Sequence, residues 1–306
     1  MIEHAGINLS GDPRRRMKER LVHGAFSAAA AVSILIGAAI VVSLLGRALE
    51  FLTQIEPGWL LAGGWFPRRN QFGLSTIFAG TLVVAAIAMA VAAPLGLGTA
   101  VFLAEYAGPD TRRRLKPIVE ILAGIPSIVV GFFALAVISP SVIQRLFDDT
   151  GLFNLAAAGI GVGILTVPLI ATIAEDAMRA VPGAMREASY GLGARRRSTS
   201  LRVVVPAAVS GIVASLIVGF SRAIGETMVV AIVAGGTGGA SFTLRPLDFG
   251  QTATGAMAAL ATGSDQVKGV GPAFPSLFFV GLLLFAATFG LNVVSERFVR
   301  RVRRSY

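Results

Sequence analysis

Apolar residues gather in six long stretches along the 306-residue chain, and the connections between them carry most of the charges. An α-helix rises 1.5 Å per residue, so about 20 apolar residues cross the hydrocarbon of a bilayer. The pattern therefore predicts six membrane-spanning helices, near residues 24–46, 76–104, 118–139, 153–175, 207–235 and 274–295. The second and fifth stretches exceed one crossing, which favours tilt or continuation of the helix beyond the membrane.

The basic residues predict the orientation of these spans. Twenty of the 27 Lys and Arg residues lie in the N-terminal tail, in the connections after the second and fourth stretches, and in the C-terminal tail. Because Lys and Arg concentrate in short cytoplasmic loops, both termini are expected in the cytoplasm. The expected division is a basic tail at 1–23, a transmembrane domain at 24–296 and a second basic tail at 297–306.

Composition supports a membrane protein and excludes several kinds of chemistry. Hydrophobic residues make up 54% of the chain, charged residues 14%, and the mean hydropathy is +0.74. The net charge of +10 is explained mostly by topology, so no nucleic-acid partner is predicted. The chain has no cysteine, and its two histidines precede the first span, which argues against thiol catalysis and histidine metal sites. No Gly-Lys-Ser/Thr loop is present, so we predict no ATPase site and no cofactor in this chain.

Two charged residues interrupt the fifth stretch, in "GFSRAIGETMVV" at 219–230. Each of Arg222 and Glu226 would cost about 2.5–3.5 kcal/mol at the centre of a bilayer. On a continuous helix they would share one face, which predicts an intrahelical ion pair that lowers this cost. Ionisable groups in a span also mark polar pathways. Ser127, within "GIPSIVVG" at 124–131, is a second candidate for pathway lining.

The connection between the fourth and fifth stretches has a pattern of its own, "MREASYGLGARRRSTSLRVVVPAAVSG" at 185–211. Glu187 to Leu192 are compatible with a short helix, Gly191 and Gly193 with a turn, and Pro206 with the start of a new helix. This arrangement is compatible with a docking knob for a partner. It is equally compatible with a basic connector that rests on anionic lipid.

The spacing in this connection resembles the cytoplasmic signature of ABC importer permeases: Glu-Ala-Ala, three residues, Gly, nine residues, Ile-x-Leu-Pro. The matching positions are Glu187-Ala188-Ser189, Gly193 and Val203 to Pro206, with serine and valines in place of alanine, isoleucine and leucine. Residues 72–107, 121–135 and 219–230 are similar, in the same order, to the phosphate-specific branch, the PstC/PstA family. Methionine after Gly225-Glu226-Thr227 resembles the PstC type.

The resemblance implies an all-α bundle of six transmembrane helices that serves an ATP-driven, high-affinity phosphate importer of the bacterial inner membrane. A cytoplasmic coupling loop near 177–206 would insert into the ATPase, with the contact residues Glu187, Ala188, Ser189, Gly193 and Pro206. The substrate pathway would include Arg222, Glu226, Thr227 and Ser127. In this hypothesis Arg222 orients the anion and Glu226 holds the arginine and prevents overly tight binding.

The implied partners are a second phosphate permease, two ATP-binding subunits that supply the ATP, a periplasmic phosphate-binding protein and membrane lipid. Three alternatives remain open from the sequence. One is an ABC permease for another oxyanion such as molybdate or sulfate. Another is an ion-coupled secondary phosphate carrier that uses Glu226 as a proton site, and the third is a membrane scaffold without transport activity.

Overall fold

The computed structural model describes residues 13–61, 63–236, 238–263 and 271–303. The helices in this part are α1 (Pro13–Gln54), α2 (Leu74–Val101), α3 (Pro109–Ala123), α4 (Ser127–Phe133), α5 (Gln144–Leu146), α6 (Leu155–Arg179), α7 (Gly183–Gly191), α8 (Arg196–Thr199), α9 (Val205–Ala207), α10 (Val209–Gly225), α11 (Met228–Val233), α12 (Ala253–Thr262) and α13 (Ala273–Arg303). The strands are β1 (Gly64–Phe66), β2 (Gln71–Phe72) and β3 (Ala240–Ser241). The predicted tails 1–23 and 297–306 lie partly outside the described residues, and the predicted division into domains stays a prediction.

Five described helices are long and apolar enough to cross a membrane, and a bent pair brings the number to six. This confirms a helical bundle of five to six spans. Predicted spans one, two, four and six correspond to α1, α2, α6 and α13. The second continues past α2 as a π-helical turn, Phe102–Tyr106, so that the apolar segment runs from Leu74 to Tyr106.

The predicted third span, 118–139, is wrong at its start. The chain leaves the helical conformation at Gly124 to Pro126, and the apolar span runs from Ser127 to Leu146. Pro126 has an extended ψ of 133° and precedes α4 directly. Proline removes a donor and disfavours helical backbone at the residue before it, which favours a break of the helix through 118–123 at this point. Those residues belong instead to α3.

The predicted fifth span, 207–235, is not one helix. A bend of 71° separates Arg196–Ala207 from Val209–Gly225. A second break follows Gly225, where Glu226 takes an extended ψ of 133° before α11 begins at Met228. The fifth span is therefore an α10 segment and a short α11 segment joined at Glu226 and Thr227.

Helices α2 and α6 form the centre of the bundle, and glycines on α6 permit their close approach. A Cβ added at Gly159 would lie 2.6 Å from the Cβ of Ile87, and one added at Gly163 would lie 2.9 Å from the Cβ of Val91. These glycines are four residues apart and share one face of α6, which is the small-xxx-small arrangement that brings membrane helices together. This contact holds together α2 and α6, the two helices to which the elements at both ends of the bundle connect.

This packing predicts that Gly163→Val destabilises the protein by about 1–3 kcal/mol, the usual cost of overpacking. The new side chain would press on Val91 and on the backbone carbonyl of Ala88, which is 3.0 Å from the added Cβ. The measurement is thermal unfolding of the detergent-solubilised protein. Gly290→Val is the matched control, because a Cβ at Gly290 has no heavy atom within 4 Å. Equal unfolding temperatures for the two variants would refute this account of the α2–α6 contact.

One end of the bundle carries α3, α7 and α8 with their arginines, and we call it the basic end. The opposite end, the far end, carries a three-stranded sheet of order β2-β1-β3. There Phe51 of α1 packs between Phe72 and Phe279, at ring-centroid distances of 5.1 and 5.2 Å. In α1, by contrast, residues 17–40 are exposed throughout. The first helix is therefore fastened to the bundle near one of its ends.

The connection 236–273 contains the largely buried helix α12 in its described part. The hydroxyl of Thr252 caps α12 by accepting from Gly255 N–H at 3.0 Å. The hydroxyl of Thr81 on α2 accepts from the N–H of Ala253 at 2.9 Å. These bonds hold the first turn of α12 against α2.

Candidate functional site

The break in the fifth span is built around Glu226. Its carboxylate Oε1 accepts hydrogen bonds from the N–H groups of Thr227 at 3.1 Å and Met228 at 3.2 Å, which are the first donors of α11. Its backbone carbonyl accepts the hydroxyl of Thr254, on α12, at 2.6 Å. Glu226 is 9% exposed. The break is thus a hydrogen-bonded structure that links α10, α11 and α12.

The predicted ion pair between Arg222 and Glu226 is wrong. The backbone turns extended at Glu226, so the carboxylate leaves the helix face that carries Arg222 and bonds to α11 instead. Among the described residues, no carboxylate lies within ion-pair distance of Arg222. Arg222 lies on an exposed face of α10 with Val218 and Gly225. The cation therefore faces away from its own chain, next to the helix break.

The other two candidate pathway residues stand at the starts of neighbouring helices. Ser127 is the first residue of α4 and is half-buried, and Thr227 immediately precedes α11. The two helices pack against each other: a Cβ on Gly131 would lie 3.3 Å from the Cα of Val229. The hydroxyl of Thr227 donates to the carbonyl of Gly225 at 3.3 Å. Two helix breaks with polar side chains thus flank one helix pair.

At the basic end, α7 begins four residues before the predicted start at Glu187 and ends in a Schellman cap. The N–H of Ala194 donates to the carbonyl of Ser189 at 3.1 Å, and the N–H of Gly193 donates to that of Tyr190 at 2.9 Å. Gly193 has φ of +76°, the left-handed conformation that this cap requires. The glycine in the sequence pattern therefore sets the sharp turn after α7.

The five candidate coupling residues occupy different positions around this turn. Glu187, Ala188 and Gly193 are exposed, and the neighbouring Leu192 is 90% exposed. Ser189 is half-buried, and its hydroxyl lies 2.8 Å from that of Thr199, which ties α7 to α8. Pro206 is exposed and lies in α9, before the bend into α10. The segment from α7 to α9 thus forms an elbow with an apolar tip.

A buried carboxylate that the sequence patterns did not single out anchors the elbow. Glu105, in the π-helical turn after α2, is 5% exposed and accepts from Arg186 of α7 at 2.8 Å. The second Glu105 oxygen accepts the hydroxyl of Ser200 at 3.3 Å. Arg186 also donates to the backbone carbonyls of Val181 and Met178. The only sequence signal was an acidic residue at the end of an apolar run.

A second ionic cluster holds α3 against α6. The carboxylate of Glu175, which is 1% exposed, accepts from Arg112 at 2.7 Å and lies 3.4 Å from the ammonium of Lys116. Lys116 also pairs with Asp176 at 3.3 Å. Both basic residues lie on one face of α3, so the cluster fixes the rotation of α3 about its own axis.

A bundle of apolar spans, with a broken helix beside an outward-facing arginine, is the arrangement of a multi-pass membrane protein with a polar position in one span. A family model described as "Binding-protein-dependent transport system inner membrane component" matches residues 92–304. The chain belongs to this family and is a multi-pass protein of the inner membrane.

Curated relatives carry the comparison beyond the family. The chain is 30% identical to the phosphate transport system permease protein PstC of Mesorhizobium japonicum, over 94% of this chain and 92% of the relative. It is 32% identical to PstC of Haemophilus influenzae, over 88% of this chain and 89% of the relative. The similarity to phosphate permeases of the PstC type, expected from the sequence motifs, is confirmed.

Solved structures of importers share the fold. A bacterial transporter that imports the acidic polysaccharide alginate matches with a TM-score of 0.65 and 14% identity, over 94% of this chain and 98% of that one. The MetNI methionine ABC transporter, in an inward-facing conformation, matches with a TM-score of 0.51 and 21% identity, over 73% of this chain and 91% of that one. A further structure of the alginate transporter includes a substrate-bound periplasmic protein.

Proposed function

We propose that this chain is the membrane permease of an ATP-driven phosphate importer, in which it forms the translocation path together with a second permease. The observation that carries the proposal is the similarity to PstC proteins over nearly the whole chain. The fold shared with importer permeases supports it. In this role the chain has no ATPase activity of its own, and two cytoplasmic ATP-binding subunits power the cycle.

Arg222 is the residue proposed to meet the anion. Its guanidinium is a planar fork that matches phosphate oxygens, and in this chain it has no competing carboxylate within ion-pair distance among the described residues. A charge in a membrane span is stable where a hydrated path or a charged partner meets it. The exposed face of α10 with Arg222 therefore fits the wall of a polar path between two permeases.

Glu226 has a role different from the one expected from its spacing. By accepting the first N–H groups of α11, its carboxylate occupies donors that would otherwise attract phosphate. Glu226 follows Arg222 closely in the sequence, but its carboxylate makes no ion pair with the Arg222 guanidinium. This arrangement lets the path attract an anion and still release it, as transport requires.

The elbow is proposed to receive the movement of the ATPase. Its exposed tip, with Leu192, offers an apolar contact, and the pair of Arg186 with Glu105 connects α7 to the end of α2. Closure of the two ATPases on ATP would then shift the elbow and α2 together. The periplasmic phosphate-binding protein would deliver its ligand to the opposite side.

The direct test is uptake by the complex isolated with its companions and reconstituted in vesicles. We expect ATP-dependent phosphate accumulation that requires the binding protein. Inhibition by sulfate or molybdate at equal concentration would favour another oxyanion. Uptake that stops when the proton gradient is dissipated, with ATP held constant, would favour a secondary carrier. The absence of any uptake, with all partners present, would contradict a transport role.

The elbow hypothesis predicts that Gly193→Val uncouples ATP hydrolysis from uptake. A β-branched residue at φ of +76° costs about 1–2 kcal/mol, so the turn after α7 changes shape. The measurement is phosphate transported per ATP hydrolysed, together with the amount of ATPase that co-purifies. Gly193→Asn is the matched control, because asparagine tolerates the left-handed conformation. If both variants couple normally, the turn is not a point of contact.

A further inference from the structure

An open apolar groove runs between α2 and α3 at the basic end. Leu95 and Gly98 of α2, with Phe102 of the π-helical turn after it, face Leu115 and Ile118 of α3 across it, and its volume is about 490 Å³. Such a volume falls within the range of about 300–1,000 Å³ that is usual for ligand sites. Leu95, Phe102 and Ile118 are 56, 44 and 54% exposed. Since α2 is a membrane span, the groove opens on the part of that span nearest the basic end.

The salt bridges of α3 determine which of its residues border the groove. Arg112 and Lys116 pair with Glu175, so that face of α3 is turned toward α6. On a helix of 3.6 residues per turn, Arg114 lies four positions before Ile118 and shares its face, on the other side of Leu115 from the Glu175 contacts. Arg114 is not one of the residues that line the groove, but this spacing places it beside the groove, toward the start of α3.

Arg114 has the properties of an anion ligand at this position. Its side chain is exposed, and among the described residues no carboxylate lies within 4.0 Å of it. Its neighbour Arg113 lies about 100° around the helix, away from Ile118, on the side that carries Glu120. The apolar groove and its arginine thus form an amphipathic site: hydrocarbon along its length and one cation beside it.

We propose that this groove binds an anionic phospholipid, with an acyl chain along Leu95, Gly98 and Ile118 and the phosphate on Arg114. The groove opens on an apolar surface of a membrane span, where acyl chains are the surrounding solvent, and the free cation selects lipids with net negative charge. A basic residue near a membrane surface contributes about 1 kcal/mol to such binding. The site does not depend on which solute the protein transports.

Photo-crosslinking in vesicles of defined composition tests this site. The assembled complex is reconstituted in phosphatidylcholine with a trace of photoactivatable phosphatidylglycerol or photoactivatable phosphatidylcholine, and labelled peptides are mapped by mass spectrometry. We expect the phosphatidylglycerol probe to label the α2–α3 groove preferentially. Arg114→Gln should lower that labelling about fivefold, while Arg113→Gln should leave it nearly unchanged. Gly98→Leu should lower labelling by both probes, because it fills the groove.

Gly98→Leu is suited to this purpose because a Cβ at Gly98 has no heavy atom within 4 Å. The proposal is overturned if both lipids label the groove equally in the unaltered protein, or if Arg113→Gln and Arg114→Gln reduce labelling alike. It is also overturned if the groove is covered by another subunit. The chain has no cysteine, so Ile118→Cys gives a single thiol whose bifunctional crosslinking to the second permease would reveal that occupant.

Discussion

Arg222→Gln is expected to lower phosphate uptake at least about tenfold while the complex stays assembled. Hydrogen bonds to a charged group contribute about 1.5–3 kcal/mol, and the amide of glutamine supplies neither the charge nor the planar fork. Because Arg222 makes no ion pair with the described part of its chain, its replacement leaves no buried carboxylate unpaired. The measurement is the initial rate of ATP-driven uptake by reconstituted complex, alongside subunit stoichiometry.

Arg145→Gln is the control for Arg222→Gln. Arg145 is also exposed but lies in α5, at the end of the third span and away from the helix break. Arg222→Lys adds a graded comparison, since it keeps the charge and loses the bidentate geometry. Unchanged uptake in Arg222→Gln would remove this residue from the pathway. Loss of uptake together with loss of a subunit would assign Arg222 to assembly instead.

Among the substitutions proposed for this protein, Glu105→Ala is expected to lower the free energy of unfolding most. Removal of one partner from a buried ion pair costs about 3–5 kcal/mol, because the remaining charge is left uncompensated. Here Arg186 would keep two backbone carbonyls and lose its carboxylate. The expected result is a lower unfolding temperature and ATP hydrolysis that no longer drives uptake. The unfolding temperature is measured on the purified complex, and the coupling of hydrolysis to uptake on the complex reconstituted in vesicles.

The double variant Glu105→Ala with Arg186→Met separates folding from coupling. An apolar replacement of both partners removes the unpaired charge and commonly restores stability. We therefore expect the unfolding temperature to recover while the phosphate-to-ATP ratio stays low, since the link between α7 and α2 is absent. Recovery of both quantities would mean that the ion pair serves folding alone. A Glu50→Gln variant, changed at an exposed residue of α1, should resemble the unaltered protein.

Hydropathy predicted most of the spans because apolar runs of sufficient length have one stable form in lipid. The same measure failed at the two breaks. Residues on both sides of Pro126 and of Glu226 are apolar, so composition does not change where the helix ends. Pro126 was a visible signal of a break. At Glu226 the signal was weaker. A glycine precedes this residue, and the Glu226 carboxylate accepts the N–H groups of the next two residues, where α11 begins.

The elbow contains both contacts that the nearby sequence predicts and contacts that it does not. Gly193 could be assigned to a turn because its conformation depends on a few adjacent residues. The bond between Arg186 and Glu105 joins residues 81 positions apart, and neither sequence neighbourhood indicates the other. The same holds for Thr254 on the carbonyl of Glu226. Pairings of this kind are decided by how helices pack, which a single sequence does not specify.

Helix α1 packs against the bundle mainly around Phe51, near its C-terminal end, and its residues 17–40 are exposed. Because α1 packs against the bundle mainly near one end, it contributes little to the buried core. Its exposed residues can border lipid or a neighbouring subunit without any rearrangement of the other helices. Substitutions at the exposed residues of α1 should accordingly be tolerated more readily than substitutions of Phe51.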